Sequence, residues 1–198
     1  MTTPTRDRFL TAATGLFRRQ GYSGTGLKQI VAESRAPLGS LYHFFPGGKQ
    51  DLAVQAISQT AERYQQLLDR VFSESADIGQ AAVKWFNWAA RALEETDFAD
   101  GCPIGTLACE IASSNEALRE ASHVVFDSWE SRVAAQLIDA GVSSARARRL
   151  ATFAVASLEG AIMLGRVQRS TRPLRDTGRV VAETLRTATG LPRDEAIS

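Results

Sequence analysis

Thr25–Lys49, TGLKQIVAESRAPLGSLYHFFPGGK, is the stretch whose reading decides the fold. Leu27, Ile30 and Val31 fall at i, i+3 and i+4, which lays one apolar stripe along a helix. Thr25 stands where a hydroxyl caps such a helix by accepting from an early backbone N–H. Ser34-Arg35-Ala36-Pro37 then breaks the pattern, because a proline biases the residue before it away from helical angles. Leu41, Phe44 and Phe45 supply a second apolar face, and Gly39, Ser40, Tyr42 and His43 are left directed elsewhere. A helix that short cannot bury enough surface to stand alone. It must rest on neighbouring helices, with its polar side open to something outside the chain.

Helix, tight turn and helix is the arrangement that sets a second helix in the major groove of DNA, and it is equally an ordinary helical hairpin. Charge separates the two readings. Residues 1–50 carry Arg6, Arg8, Arg18, Arg19, Lys28, Arg35 and Lys49 against Asp7 and Glu33, a net charge of +5. The remaining residues carry a net −4, so a chain of net charge +1 divides into a basic head and an acidic body. That division suits a phosphate-binding end.

Outward from this stretch, every segment reads as helix. Thr3-Pro4 is a helix-start signal with Pro4 at the first helical position, and Phe9, Ala12, Ala13, Leu16 and Phe17 form one face before Gly21. After Pro46-Gly47-Gly48 a long helix begins at Lys49 and carries Ile57, Ala61, Tyr64, Leu68 and Val71 before Ser73–Asp77 ends it. Ala81, Trp85, Trp88 and Ala92 mark the next. Glu94 to Gly105 reads as a loop, followed by a short helix from Thr106 to Ser113. Asn115 caps a helix running to Gly141, another spans Ser143 or Ser144 to about Gln168, and Pro173 opens the last. No strand, repeat or low-complexity tract stands out. The expectation is an all-α fold of nine helices.

Thr25-Gly26-Leu27, Ile30-Val31, Pro37-Leu38-Gly39-Ser40-Leu41-Tyr42-His43-Phe44-Phe45, Lys49 and Leu52 together resemble the N-terminal helix-turn-helix domain of the tetracycline-repressor (TetR) family. PLGSLYHFFPGGK, with Gly101-Cys102-Pro103-Ile104-Gly105 downstream, is similar to the LmrA/YxaF-type subgroup of regulators. The resemblance implies a DNA-binding domain over residues 1–48 and a ligand-binding and dimerisation domain over 49–198. It implies phosphate contacts from Thr25, Tyr42 and Lys49, helped by Lys28 and His43, with Pro37, Leu38, Gly39 and Ser40 facing base edges. Of those four only Ser40 offers a side-chain hydrogen bond. Apolar contact with thymine methyls and DNA shape then carry part of the reading.

In the body, Phe153, Ala154, Ser157, Gly160, Ala161 and Leu164 mix small and large residues on neighbouring faces, which permits close helix approach. With Val181 and Leu185 of the last helix they are the expected homodimer interface, set against the alternative of an internal core helix. One short reading helix touches few base pairs, and a two-fold dimer doubles the site. Trp85, Trp88, Cys102, Phe126, Trp129, Phe153 and Met163 are the expected lining of a pocket for a small apolar, planar aromatic effector, against the plainer reading of core packing. Glu159, within an apolar stretch, needs a partner: a ligand, or an arginine such as Arg91 or Arg132.

Other chemistries find little footing. Gly48-Lys49 lacks the upstream glycine and the following Ser or Thr of a phosphate-binding loop, and His43 and His123 are the only histidines. No catalytic residue, metal site or cofactor is expected. Cys102 and Cys109 make no disulfide framework and fit a reducing cytoplasm. No unbroken run of about 18 apolar residues is present, so no membrane partner is expected. The chain therefore reads as a cytoplasmic, ligand-responsive transcriptional regulator, a repressor that binds a palindromic operator as a homodimer and is released by an apolar effector. A helical small-molecule-binding protein or enzyme with a vestigial DNA-binding head is the alternative.

Overall fold

The computed structural model describes residues 4–191. Among them the chain forms nine α-helices and no strand, the all-α architecture expected. In order these are α1 (Thr5–Gln20), α2 (Leu27–Ser34), α3 (Leu38–Phe44), α4 (Lys49–Ser73), α5 (Ile78–Glu95), α6 (Pro103–Ile111), α7 (Glu116–Asp139), α8 (Ser144–Gln168) and α9 (Arg172–Ala188).

The ends of these helices have local causes. The Asp77 carboxylate accepts from the Gln80 amide at 2.8 Å and starts α5, and the Asn115 side chain accepts from the Leu118 amide at 3.2 Å and starts α7. Helix α6 begins three residues before the expected Thr106. Pro103 occupies its first turn, where the missing N–H is harmless, and Cys102 Sγ accepts from the Gly105 amide at 3.3 Å. At the start of α1, Pro4 is the residue before the helix rather than its first member, and Thr3 lies outside the described residues.

The helices divide between two compact units. One comprises the residues up to Arg63 together with Asp100–Val125, and the other Tyr64–Ala99 together with the residues from Phe126 onward. Helices α4 and α7 supply residues to both. The first unit thus joins α1–α3 to the start of α4 and to α6, a grouping different from the sequence division at residue 48.

In the second unit α5 and α9 pack through a glycine on each. A Cβ on Gly79 would lie 2.5 Å from the Arg186 side chain, and one on Gly178 would lie 2.7 Å from Phe86 Cβ. Arg186, buried, donates to both oxygens of Asp77 from Nε and Nη2 at 3.1 and 3.3 Å, tying the end of α9 to the start of α5. A guanidinium so enclosed requires that carboxylate.

Helix α8 is apolar on two faces. Ala154, Val155, Leu158, Ala161 and Ile162 are buried, whereas Phe153, Met163, Leu164 and Val167 are exposed. By length and composition α8 is apolar enough to cross a bilayer, with 33% of its most apolar window buried. The sequence holds no unbroken apolar run of that length there, because Glu159 interrupts it.

Candidate functional site

Helix α3 is fixed from below by Leu41 and by Phe45 at its end, both fully buried, with the Phe45 ring edge-on to Phe9 of α1 at 6.2 Å. This leaves Leu38, Gly39, Tyr42 and His43 exposed and Ser40 half-buried. Arg8 of α1 shapes the turn between α2 and α3. Its Nε donates to the Ser34 carbonyl at 2.9 Å and its Nη2 donates to the Arg35 carbonyl, so a cation satisfies the last carbonyls of α2. Arg35 adopts the left-handed conformation, φ 51°, which reverses the chain toward Pro37.

The turn from α1 to α2 is gripped from α6. Both carboxylate oxygens of Glu110 accept backbone amides, from Tyr22 at 2.6 Å and from Ser23 at 2.7 Å. Gly21 precedes them at φ 74°, and a Cβ there would fall 2.4 Å from a Glu110 oxygen. The position thus favours glycine for its conformation, and the Glu110 carboxylate comes close over it. Lys49 Nζ sits 4.1 Å from the centroid of the Tyr22 ring. Partial burial lowers the Lys49 pKa, against the Glu110 charge that raises it. Burial raises the Glu110 carboxyl, but the hydrogen bonds from Ser23 and Tyr22 and the Lys49 charge outweigh it and hold the pKa below the ordinary value.

Thr25 requires a correction. Its hydroxyl is fully buried and donates to the Gly21 carbonyl at 2.7 Å, and Gly26 holds the capping position of α2 without any side-chain bond. Thr25 therefore builds the turn, and its side chain is not at a surface where phosphate would meet it. Lys28, Pro37, Leu38, Gly39, Tyr42 and His43 are exposed, and Lys49 is half-buried.

In the second unit the aromatic residues come together around one that sequence reasoning did not single out. Tyr64 stacks on Trp129 at 4.8 Å and 21°, Trp88 stands edge-on to Tyr64 at 5.4 Å, and Phe126 stands edge-on to Trp129 at 5.5 Å. Trp129 and Trp85 are buried and their indole N–H groups have no acceptor. Trp85 lies apart from the stack's contacts, edge-on to Phe86, and lines a wholly apolar void of about 10 Å³ with Leu68, Phe72 and Val133. That is room for a single water.

The remaining expected lining residues disperse. Phe153 and Met163 are exposed on α8, so neither lines the interior of this unit. Cys102 belongs to the first unit, where it caps α6. Glu159 is half-buried, and Arg132, one of its suggested partners, donates to Asp69 at 2.6 Å. The expected dimer interface also divides. Ala154, Ala161, Val181 and Leu185 are buried within the chain's own core, whereas Phe153 and Leu164 are exposed and Ser157 is half-buried. The outer stripe runs Phe153, Ala156, Met163, Leu164 and Val167, all exposed, with Ser157 and Gly160 half-buried among them, one residue round the helix from the buried one. A period of 3.6 marks both stripes equally and cannot tell which faces inward.

Two family models match the chain. Residues 9–56 match the tetR family of bacterial regulatory proteins, and residues 79–180 match the C-terminal domain of LmrA/YxaF-like transcriptional regulators. The HTH-type transcriptional regulator YxaF of Bacillus subtilis is 40% identical over 169 residues, 85% of this chain and 88% of that protein. The chain belongs to the TetR family. It is a DNA-binding transcriptional regulator, and the matched relatives and folds are regulators, not enzymes. Within the family, the HTH-type transcriptional repressor DhaR of Mycobacterium sp. strain GP1 is 29% identical over 99% of this chain and 97% of its own. The crystal structure of the regulatory protein TetR from Rhodobacter sphaeroides superposes with a TM-score of 0.81 at 25% identity, covering 91% of this chain and 98% of that one.

Glu110, Arg8 and Tyr64 are the positions that the sequence did not disclose. Glu110 lies 88 residues from Tyr22 and is one carboxylate among many on the surface. Arg8 is one of several arginines in α1, and its target carbonyls exist as a pair only once the turn is formed. Tyr64 was visible in the apolar line of α4, without any sign that it stacks on Trp129.

Proposed function

We propose that this TetR-family regulator is a cytoplasmic repressor that binds a palindromic operator as a homodimer and is released by a small apolar effector. The observation that carries this reading is the second apolar face of α8. It exposes Phe153, Met163, Leu164 and Val167 along one stripe. Gly160 lies at the middle of that stripe, in a helical conformation, and a Cβ there would meet nothing within 4 Å inside the chain. A helical glycine without an internal packing reason is explained by the close approach of a second copy. Two copies then present two α3 helices to successive major grooves.

In this reading Lys28, Tyr42, His43 and Lys49 hold phosphates, and Pro37, Leu38, Gly39 and Ser40 meet bases. The effector is assigned to the aromatic stack of Tyr64, Trp88, Phe126 and Trp129. The void beside Trp85 is too small for an organic molecule, and a ligand that enters the closely packed stack displaces one of its rings. It thereby selects a conformation different from this closed one, and that differential affinity is what couples ligand to operator. A flat apolar compound carrying an acceptor would also satisfy the Trp129 N–H. The experiment is footprinting of the full chain on DNA flanking its own gene, with and without planar apolar compounds. Two protected half-sites about 10 base pairs apart that vanish with ligand are expected. A single isolated footprint, or protection indifferent to every ligand that perturbs tryptophan fluorescence, counts against it.

A further inference from the structure

We infer that α3 reads thymine through its 5-methyl group, with Leu38 as the specificity-determining side chain and Gly39 as the clearance that admits the base edge. The inference rests on the operator-binding reading above and concerns which feature of the base is recognised. Leu38 is 50% exposed and Tyr42, one turn on, is 51% exposed, while Leu41 and Phe45 anchor the opposite side. A lone exposed leucine on a surface carries little meaning. This one stands on the helix that a DNA-binding regulator turns toward its target.

The outward residues from Pro37 to His43 include no arginine or lysine for guanine, no asparagine or glutamine for adenine, and no carboxylate for cytosine. The apolar feature that the major groove offers in their place is the thymine methyl. Gly39 gives the second, independent observation. Its backbone is helical, so no left-handed angle calls for glycine, and an added Cβ would meet nothing within 4 Å. Alanine would favour the helix. The missing side chain therefore serves a surface outside the chain, and the contact is one of side-chain bulk rather than of helix amides.

The test uses the full-length protein and a library of random 20-base-pair duplexes. The selected duplex is resynthesised with each thymine replaced in turn by deoxyuridine, which removes the methyl alone. At one or two positions per half-site, affinity should fall about fourfold for each methyl lost. Leu38→Ala should bind more weakly and lose sensitivity to those same replacements, with an unchanged thermal midpoint. Gly39→Ala should melt no lower than the parent yet bind the selected duplex about tenfold more weakly. Indifference to deoxyuridine, equal sensitivity in Leu38→Ala, or parental affinity in Gly39→Ala would each overturn the proposal. Failure to enrich any sequence would remove the operator-binding reading itself, and the methyl contact with it.

Discussion

Helices α3 and α8 each leave apolar residues uncovered and each carry a glycine with no internal neighbour, yet they differ in scale. On α3 the exposed apolar set is Leu38 and Tyr42, beside Gly39. On α8 it is a stripe that recurs through more than half of the helix, with Gly160 near its centre. A short exposed set suits a groove edge where charge elsewhere supplies most of the affinity. A long stripe suits a second helix that must be matched turn by turn. In the proposed reading, exposure together with an unexplained glycine marks a partner surface, and the length of the exposed set distinguishes the two partners.

The largest expected effect tests the α8 side of this comparison with two adjacent substitutions. Ala161 is buried against the chain's own core, whereas Gly160 is half-buried and a Cβ on it would meet nothing within 4 Å. Ala161→Arg should unfold the second unit, because a buried charge without a partner costs several kcal/mol. Gly160→Arg should leave each chain folded and prevent association. Circular dichroism melts and sedimentation equilibrium, run on both variants, separate the outcomes. A folded, dimeric Gly160→Arg would move the interface away from α8.

This pair also shows what was legible in the sequence. The helices and their order follow from local patterns, as does the Asn115 cap of α7, whereas Asp77 was read only as ending α4 and Pro103 only as part of a loop, although each acts within a few residues of where it stands. The reading helix was legible for the same reason, since Leu41 and Phe45 define its inner face from within one turn. The inward face of α8 was not, because both of its stripes are apolar and the choice between them depends on α5 and α9. Thr25 was misjudged through a related gap. A hydroxyl at that place suits capping or phosphate, and only the folded turn brings the Gly21 carbonyl to 2.7 Å and buries it.

In the unit that carries α3, Glu110 grips the turn between α1 and α2. Gly21→Ala places a methyl against that carboxylate in a left-handed conformation, which should cost about 1–2 kcal/mol. Urea unfolding should register the loss, and operator affinity should fall with it as the turn shifts. A Gly21→Ala variant as stable as the parent would mean that Glu110 moves aside freely and is no clasp.

A smaller change sharpens the distinction between charge and contact. Lys49→Ala removes the cation that the proposed reading sets against a phosphate, at the start of α4 and off the face of Leu38 and Gly39. The slope of log affinity against log salt should fall by about one unit, equally for all DNA sequences. A loss confined to the selected operator would place Lys49 among the base-reading residues.

The smallest effect lies in the pH dependence, through Glu110 in one unit and Asp77 in the other, each held by hydrogen bonds from the chain. Burial raises both, yet hydrogen bonds and charge prevail: Ser23, Tyr22 and Lys49 for Glu110, and Arg186, Gln80 and Gly79 for Asp77. Both folded values therefore lie below the ordinary 4.5 and 3.8. The unfolded chain binds these protons more readily, so the stability each contributes is complete above its ordinary value and is lost as pH falls through the folded one. Exposure of Glu110 to solvent keeps its share modest. Thermal midpoints measured from about pH 6 to about pH 3 should decline, with the Glu110 contribution beginning to fade at the higher pH. Glu110→Gln should flatten the upper part of that decline and Asp77→Asn the lower, the asparagine still able to cap α5. If Asp77→Asn leaves the acid limb unchanged, the Arg186 pair adds nothing pH-dependent, and the link between α9 and α5 rests on the packing of Gly79 and Gly178 alone.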